Sequence, residues 1–346
     1  MTSAAPRLRD LDDQRPSWWH YHGDGVPAAD PSRLVLPDPP NWRLFEGEPV
    51  QPPPGEDSEE TERKLGRPDV FPPRRADRQE CDMVNAAILL RRPLLVTGQP
   101  GSGKSAIAFR VARELGLGRV LQWAITSRTA LRSGLYEYDA IGRAQAVTSA
   151  PDAERRTGDF VRLGPLGTAL LAYERPRVLL VDELDKSDID LPNDLLDVFE
   201  RGQFPIPELV RVSRHEGEAS VYTDDPGAVA AIREGRVRCR AFPIVVITSN
   251  GEREFPPAFL RRCLLLELPM PSAADLAAMV RAQLPDAADG RPDLINDFLS
   301  RGTHDVLARD QLLNAFYLTN SGAYSQDDEA WQRLITAIWH SLAQER

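Results

Sequence analysis

Lysine is nearly missing from this chain: against 39 arginines there are three, Lys64, Lys104 and Lys186. Cysteine is equally scarce. Cys81, Cys239 and Cys263 stand apart with no C-x-x-C pair, which excludes a disulfide framework or a zinc ribbon and fits reduced thiols. No stretch approaches the roughly 18 apolar residues of a membrane-spanning helix, and the first residues lack the apolar core of a signal peptide. The expected compartment is therefore the cytoplasm, with no membrane partner. A net charge of −10 argues against standing affinity for nucleic acid, which needs basic surface to displace counterions. There is no H-E-x-x-H and no serine nucleophile elbow, so no second catalytic domain is expected.

What is present divides the 346 residues into three parts. Residues 1–75 hold 14 of the 30 prolines and an acidic run at Glu56–Glu62. Such composition predicts a largely extended N-terminal region. The island Trp18-Trp19-His20-Tyr21-His22, with Trp42 and Phe45, is expected to tuck against the body or to dock a partner. His20 and His22 lack further Cys or His nearby and are not expected to bind metal. Residues 76–271 alternate strand and helix, the pattern of an α/β fold with a parallel sheet. Strands are predicted at Leu94–Thr97, Val120–Ile125, Val178–Val181, Ile244–Thr248 and Leu264–Leu268, with helices at Ala106–Leu115, Leu166–Tyr173 and Asp194–Glu200. Residues 272–346 change to amphipathic helices alone, at Ala273–Gln283, Leu294–Ser300, Arg309–Leu318 and Glu329–Leu342.

The motif Gly98-Gln99-Pro100-Gly101-Ser102-Gly103-Lys104-Ser105 fits G-x-x-x-x-G-K-[ST], between a predicted strand and a helix starting at Ala106. Glycines let the backbone N–H groups converge on phosphate, and the helix start adds positive dipole. One of three rare lysines falls at the position where an ammonium reaches the β- and γ-phosphates, and Ser105 offers a hydroxyl to Mg²⁺. Val178-Leu-Leu-Val-Asp182-Glu183 is a buried strand ending in two acids, 78 residues beyond Lys104. Asp182 would hold Mg²⁺ and Glu183 would take a proton from the attacking water. Ile244-Val-Val-Ile-Thr248-Ser249-Asn250 ends a further strand in polar residues, and Asn250 could orient that water or touch the γ-phosphate. In Phe255-Pro-Pro-Ala-Phe-Leu-Arg261-Arg262-Cys263, either arginine could stabilise phosphoryl-transfer charge across a subunit interface.

These motifs in this order, followed by helices, resemble an AAA+ ATPase over about residues 76–346. Phe160–Leu170 before the Asp182 strand and Asn193–Phe204 after it resemble the MoxR-like branch. The resemblance implies a P-loop NTPase sheet with a helical lid domain, and ATP and Mg²⁺ as cofactors. It places Gly98–Ala106 and Asp182 at nucleotide, Ser105 and Asp182 at the metal, and Glu183 as base. It makes Asn250 the first sensor and Arg261 or Arg262 a trans-acting finger. It also implies a homo-oligomeric ring, a hexamer, that remodels a protein partner, for instance one with a von Willebrand A domain. Arg309 is the nearest candidate for the lid's sensor arginine, without its usual Gly- or Pro-led context.

An ATP-dependent assembly switch with little turnover, in a bacterial conflict or signalling system, is the alternative expectation. A nucleic-acid motor runs against the charge, and GTP in place of ATP stays open because a P-loop leaves the base unread. The 68 residues from Asp182 to Asn250 exceed what a helix and turn need, so Pro205–Arg240 is expected to be an inserted hairpin or loop. Leu135–Asp139 is expected to pack, or alternatively to grip a substrate with Tyr136 and Tyr138.

Overall fold

Val178-Leu-Leu-Val and Ile244-Val-Val-Ile are apolar at every position, which suits only strands covered on both faces. In the computed structural model, which describes residues 15–27, 35–55, 58–66, 76–149, 156–284, 294–296, 298, 309–320, 333–334 and 337–338, they form the middle of a sheet. Along the chain lie α1 (Ser58–Leu65), α2 (Arg78–Leu90), β1 (Leu94–Thr97), α3 (Ala106–Leu115), β2 (Leu121–Ala124), α4 (Leu131–Leu135), β3 (Tyr136–Tyr138), α5 (Ala140–Ser149), β4 (Val161–Leu163), α6 (Pro165–Ala169) and β5 (Val178–Asp182). Then come α7 (Leu191–Arg201), β6 (Gln203–Pro205), α8 (Pro207–Val212), β7 (Glu218–Tyr222), β8 (Val229–Arg233), β9 (Arg236–Arg238), β10 (Ile244–Ser249), α9 (Pro257–Leu260), β11 (Leu264–Glu267), α10 (Ala273–Gln283) and α11 (Arg309–Asn320).

Five strands make a wholly parallel sheet in the order β11-β1-β10-β5-β2. Alternate residues face two cores, as the period of two requires. Leu95, Leu179, Val181, Val245 and Ile247 pack with α6, α7 and Phe242. Leu94, Val96, Val178, Leu180, Ile244 and Val246 pack with α2 and α3. Every strand runs the same way, so the loops after β1, β5 and β10 gather at one edge.

The inserted region is larger than a hairpin. Strands β7, β8 and β9 join β3, β4 and β6 in a second, six-stranded sheet ordered β3-β4-β7-β8-β9-β6. Its one buried face alternates strictly, with Ala219, Val221, Ala230 and Ile232 inward on β7 and β8. Tyr136 is buried, stacks on Phe204 and donates its hydroxyl to Glu208 Oε2 at 2.9 Å. It is thus a packing residue. The sheet is clamped to the parallel one by Arg177, fully buried just before β5. Its Nη1 and Nη2 reach Asp225 Oδ2 and Oδ1 at 2.6 and 2.9 Å, at the tip between β7 and β8. Arg119 adds a second pair to Asp224 at 2.8 Å. The helix predicted at Leu166–Tyr173 is confined to Pro165–Ala169.

The C-terminal helices have their own core, in which Leu276 and Val280 of α10 meet Leu294, Phe298, Leu312 and Phe316. A capping box starts α10, with Ser272 Oγ accepting from Asp275 N. Leu294–Ile295, Asn296 and Phe298 are helical. Of the helix expected at Glu329–Leu342, residues 333–334 and 337–338 are helical and the rest lies outside the described residues.

The described parts of residues 1–75 are seated on the body, as expected for the aromatic island. The acidic run leads into α1, where Glu59 and Glu60 open the helix and Arg63 and Lys64 close it, complementing its dipole. Tyr21 is fully buried between α2 and α3, and its hydroxyl donates to Glu80 Oε1 at 2.8 Å. Asn85 of α2 accepts from His20 N and Tyr21 N and returns a bond to Tyr21 O. Trp19 Nε1 donates to Asp82, whereas Trp18 and Trp42 are exposed. Glu114 of α3 accepts N–H bonds from His22, Gly23 and Gly25 at 2.9, 3.0 and 2.6 Å.

Burial pushes the Glu114 carboxyl up to about 7, outweighing the pull of those three donors, and Asp24 adds to the rise. A folded-state value above the ordinary 4.5 stabilises the fold below about pH 4.5 and withdraws that support as pH climbs through about 7. Urea unfolding of wild type and Glu114→Gln across that window should show the wild-type advantage shrinking as pH rises. A difference independent of pH would refute this titration.

Candidate active site

Gly98 opens the P-loop with φ +149, a backbone setting open to glycine. A Cβ there would lie 2.7 Å from Leu268 O, so the loop also needs glycine for close approach. The ammonium of Lys104 is buried in the loop and donates to Gly98 O and Gln99 O at 2.7 and 2.9 Å. Ala106 N donates back to Gly103 O as α3 begins. Ser105 precedes α3 without capping it. Its hydroxyl instead crosses to Asp182 Oδ1, at 2.8 Å.

The same carboxylate oxygen accepts from Thr248 Oγ1 at 2.6 Å. Thr248 in turn accepts the Glu183 N–H at 2.8 Å. That bond supports an otherwise costly conformation, because Glu183 sits at φ 61, ψ 48, a left-handed setting worth about 1–3 kcal/mol for a residue with a side chain. The turn sends the Glu183 carboxylate beyond the strand end. There Asn250 Nδ2 lies 3.4 Å from Oε1 and Lys186 Nζ 2.8 Å from Oε2. Its hydrogen bond to Glu183 raises the Lys186 ammonium above the ordinary lysine value. Buried Asp185 accepts from Asn250 N and Glu252 N at 2.9 and 3.0 Å, fixing the backbone that carries Asn250. A cleft of about 560 Å³ opens beside Glu183, Lys186 and Arg253.

The geometry therefore brings together Lys104, Ser105, Asp182, Glu183 and Asn250. It also recruits Thr248, Asp185 and Lys186, whose roles reading the sequence alone does not find. Thr248 is discoverable from strand order, since Ile247 pairs with Val181 and the next residues, Thr248 and Asp182, fall side by side. The donors suit a hard cation: one hydroxyl and one carboxylate oxygen held 2.8 Å apart at the mouth of a phosphate loop.

The two arginines lie elsewhere. They precede β11, whose first residue pairs with the first residue of β1, so they sit at the sheet edge opposite the P-loop. A four-residue strand separates the edges by roughly 13 Å. Arg92 donates to the carbonyls of Arg261 and Arg262. Arg261 is exposed, while Arg262 Nε reaches Glu200 Oε1 at 3.0 Å. Arg309 is the first residue of α11, and its side chain lies outside the described residues. Among the described residues no cluster of metal-ligating His, Cys, Asp or Glu occurs, and no helix is long and apolar enough to cross a membrane. The three cysteines are buried and free, and burial raises each thiol to about 12.

Residues 93–263 match the family model described as the AAA domain, dynein-related subfamily. The fold is that of an AAA+ P-loop NTPase. Similar solved structures include NtrX from Brucella abortus in complex with ADP, 14% identical with a TM-score of 0.35, covering 68% of this chain and 48% of that one. NtrX in complex with ATP is 14% identical with a TM-score of 0.37, covering 72% of this chain and 52% of that one. The chain thus spans about half the length of these two NtrX structures. No curated protein matches it.

Thr248→Val would leave Asp182 Oδ1 and the Glu183 N–H each short of a partner. It should cost about 1–3 kcal/mol in urea unfolding. An unchanged midpoint would show that the hydroxyl holds neither group.

Proposed function

We propose that this chain hydrolyses ATP in a Mg²⁺-dependent reaction and uses the cycle to remodel a protein partner. What supports the reading is that Ser105, next to Lys104 in the P-loop, is bonded to Asp182, while Asn250 reaches the adjoining Glu183. The P-loop backbone and Lys104 would cradle the phosphates, and Ser105 and Asp182 would hold the metal. A bound Mg²⁺ supplies charge neutralisation on the phosphate oxygens. Water attacks the γ-phosphorus and the bond to the β-bridging oxygen breaks. Glu183 accepts the water's proton, and Asn250 orients its carboxylate. Lys104 stabilises the charge gathering on the γ-oxygens.

Arg261 and Arg262 sit at the sheet edge opposite their own P-loop, so in this reading they serve the reaction of a neighbouring copy. Such a head-to-tail contact closes into a ring, and a cytoplasmic hexamer of the MoxR-like type is the form we infer. Its partner would be a separate polypeptide, such as a von Willebrand A domain protein. One observation favours a second reading, an assembly switch with little turnover: the Glu183 carboxylate is already engaged by Lys186.

The per-subunit hydrolysis rate should climb with protein concentration and collapse in Arg261→Ala/Arg262→Ala. A flat rate indifferent to those substitutions would refute shared sites. Glu183→Gln should keep ATP binding and lose hydrolysis by about 10²-fold or more, and Lys104→Ala should lose binding. Tight ATP binding by a wild type that barely turns over would select the switch.

A further inference from the structure

Glu200, in the last turn of α7, is gripped from two sides. Its Oε1 accepts from Arg262 Nε at 3.0 Å, and its Oε2 lies 3.5 Å from Arg43 Nη2. Arg43 belongs to the N-terminal segment, 156 residues before Phe199, whose carbonyl accepts from Arg43 Nη1 at 2.7 Å. That carbonyl is one of the orphan acceptors at the end of α7, where a cation also meets the negative pole of the helix. Arg43 is 7% exposed, and its guanidinium carbon lies 5.5 Å from the Phe242 ring centroid. Phe45 stacks on the same ring from further along the segment. Gly202 ends α7 at φ +58, and a Cβ there would come within 2.8 Å of Phe45 Cε1, so the segment is seated directly on the helix cap. Gly47 N–H donates to Cys239 O at 3.0 Å and fixes the far end of the contact.

The consequence falls on the arginine pair. Arg262 has its guanidinium in a set place, with Nη1 also donating to Ala258 O at 3.1 Å. Arg261 is held through its backbone, its carbonyl by Arg92 and its N–H by Pro257 O at 3.2 Å. Stabilising charge that develops in a transition state depends on groups placed beforehand. We propose that Arg43 and Glu200 are positioning residues for Arg262, so that the N-terminal segment sets where this guanidinium is presented to the neighbouring copy. This deepens the proposal above and rests on its trans-acting arginine.

The test compares full-length Glu200→Gln, Arg43→Ala, Arg262→Ala and Arg261→Ala, measuring kcat and KM for ATP at assembling concentrations together with Tm. Glu200→Gln keeps the shape and removes the charge, so it guards against misfolding in Arg43→Ala. Both should lower kcat on the order of tenfold while KM stays put, and Tm should hold in Glu200→Gln. Because all three residues act through one contact chain, Glu200→Gln/Arg262→Ala should be no slower than Arg262→Ala alone. Full kcat in Glu200→Gln and Arg43→Ala beside a slow Arg262→Ala would overturn the proposal and leave the trans-arginine reading intact. So would a rate that depends on Arg261 and ignores Arg262. Full activity in both single arginine variants and their double would sink the trans-arginine reading itself.

Discussion

One oxygen atom organises this site. Asp182 Oδ1 accepts hydroxyl bonds from Ser105, at the head of α3, and from Thr248, on the adjacent strand. Three pieces of chain distant in sequence are thereby held to one point. Charge-assisted bonds of this kind are about twice as strong as neutral ones, and the carboxylate sits where buried strands β5 and β10 leave it little freedom. Thr248 passes the constraint onward by accepting the Glu183 N–H, which keeps Glu183 in its left-handed turn. The position of the Glu183 carboxylate is thus inherited from the position of Asp182.

Much of this was readable beforehand, for identifiable reasons. Strand β1 and helices α3 and α10 have the boundaries expected, because a short unbroken apolar run or a 3.6-residue period leaves few alternatives. The second sheet was not legible. Its strands are three to five residues long and alternate apolar with polar, so each looks like loop until its neighbour is known. Thr248, Asp185 and Lys186 were hidden differently. Their roles arise from strand adjacency and side-chain reach, neither of which appears in linear order. Tyr136 could be read as packing or gripping, and only the Phe204 ring beneath it decides.

Proline content says little about where the N-terminal segment is seated. A proline-rich segment cannot build its own core, but it can borrow one. Residues 15–27 and 35–55 satisfy their backbone through Asn85, Glu114, Ala172 and Cys239, groups that belong to the α/β body. The polar residues that receive the segment sit at helix positions that would otherwise read as solvent-facing. Asn85 and Glu114 are buried because the segment covers them.

The clamp between Arg177 and Asp225 has a mechanical meaning. It pins the tip of the inserted sheet to the foot of β5, the strand whose head carries Asp182 and Glu183. A buried, two-pronged ion pair of this sort is costly to break, so the second sheet cannot swing on a hinge of its own. Whatever force it bears is passed axially along one extended strand, the least compliant path that a backbone offers. The insertion is therefore a rigid outrigger of the α/β body, and freedom to move is left to that body's other boundary, where the chain leaves β11 for the helices of the C-terminal core.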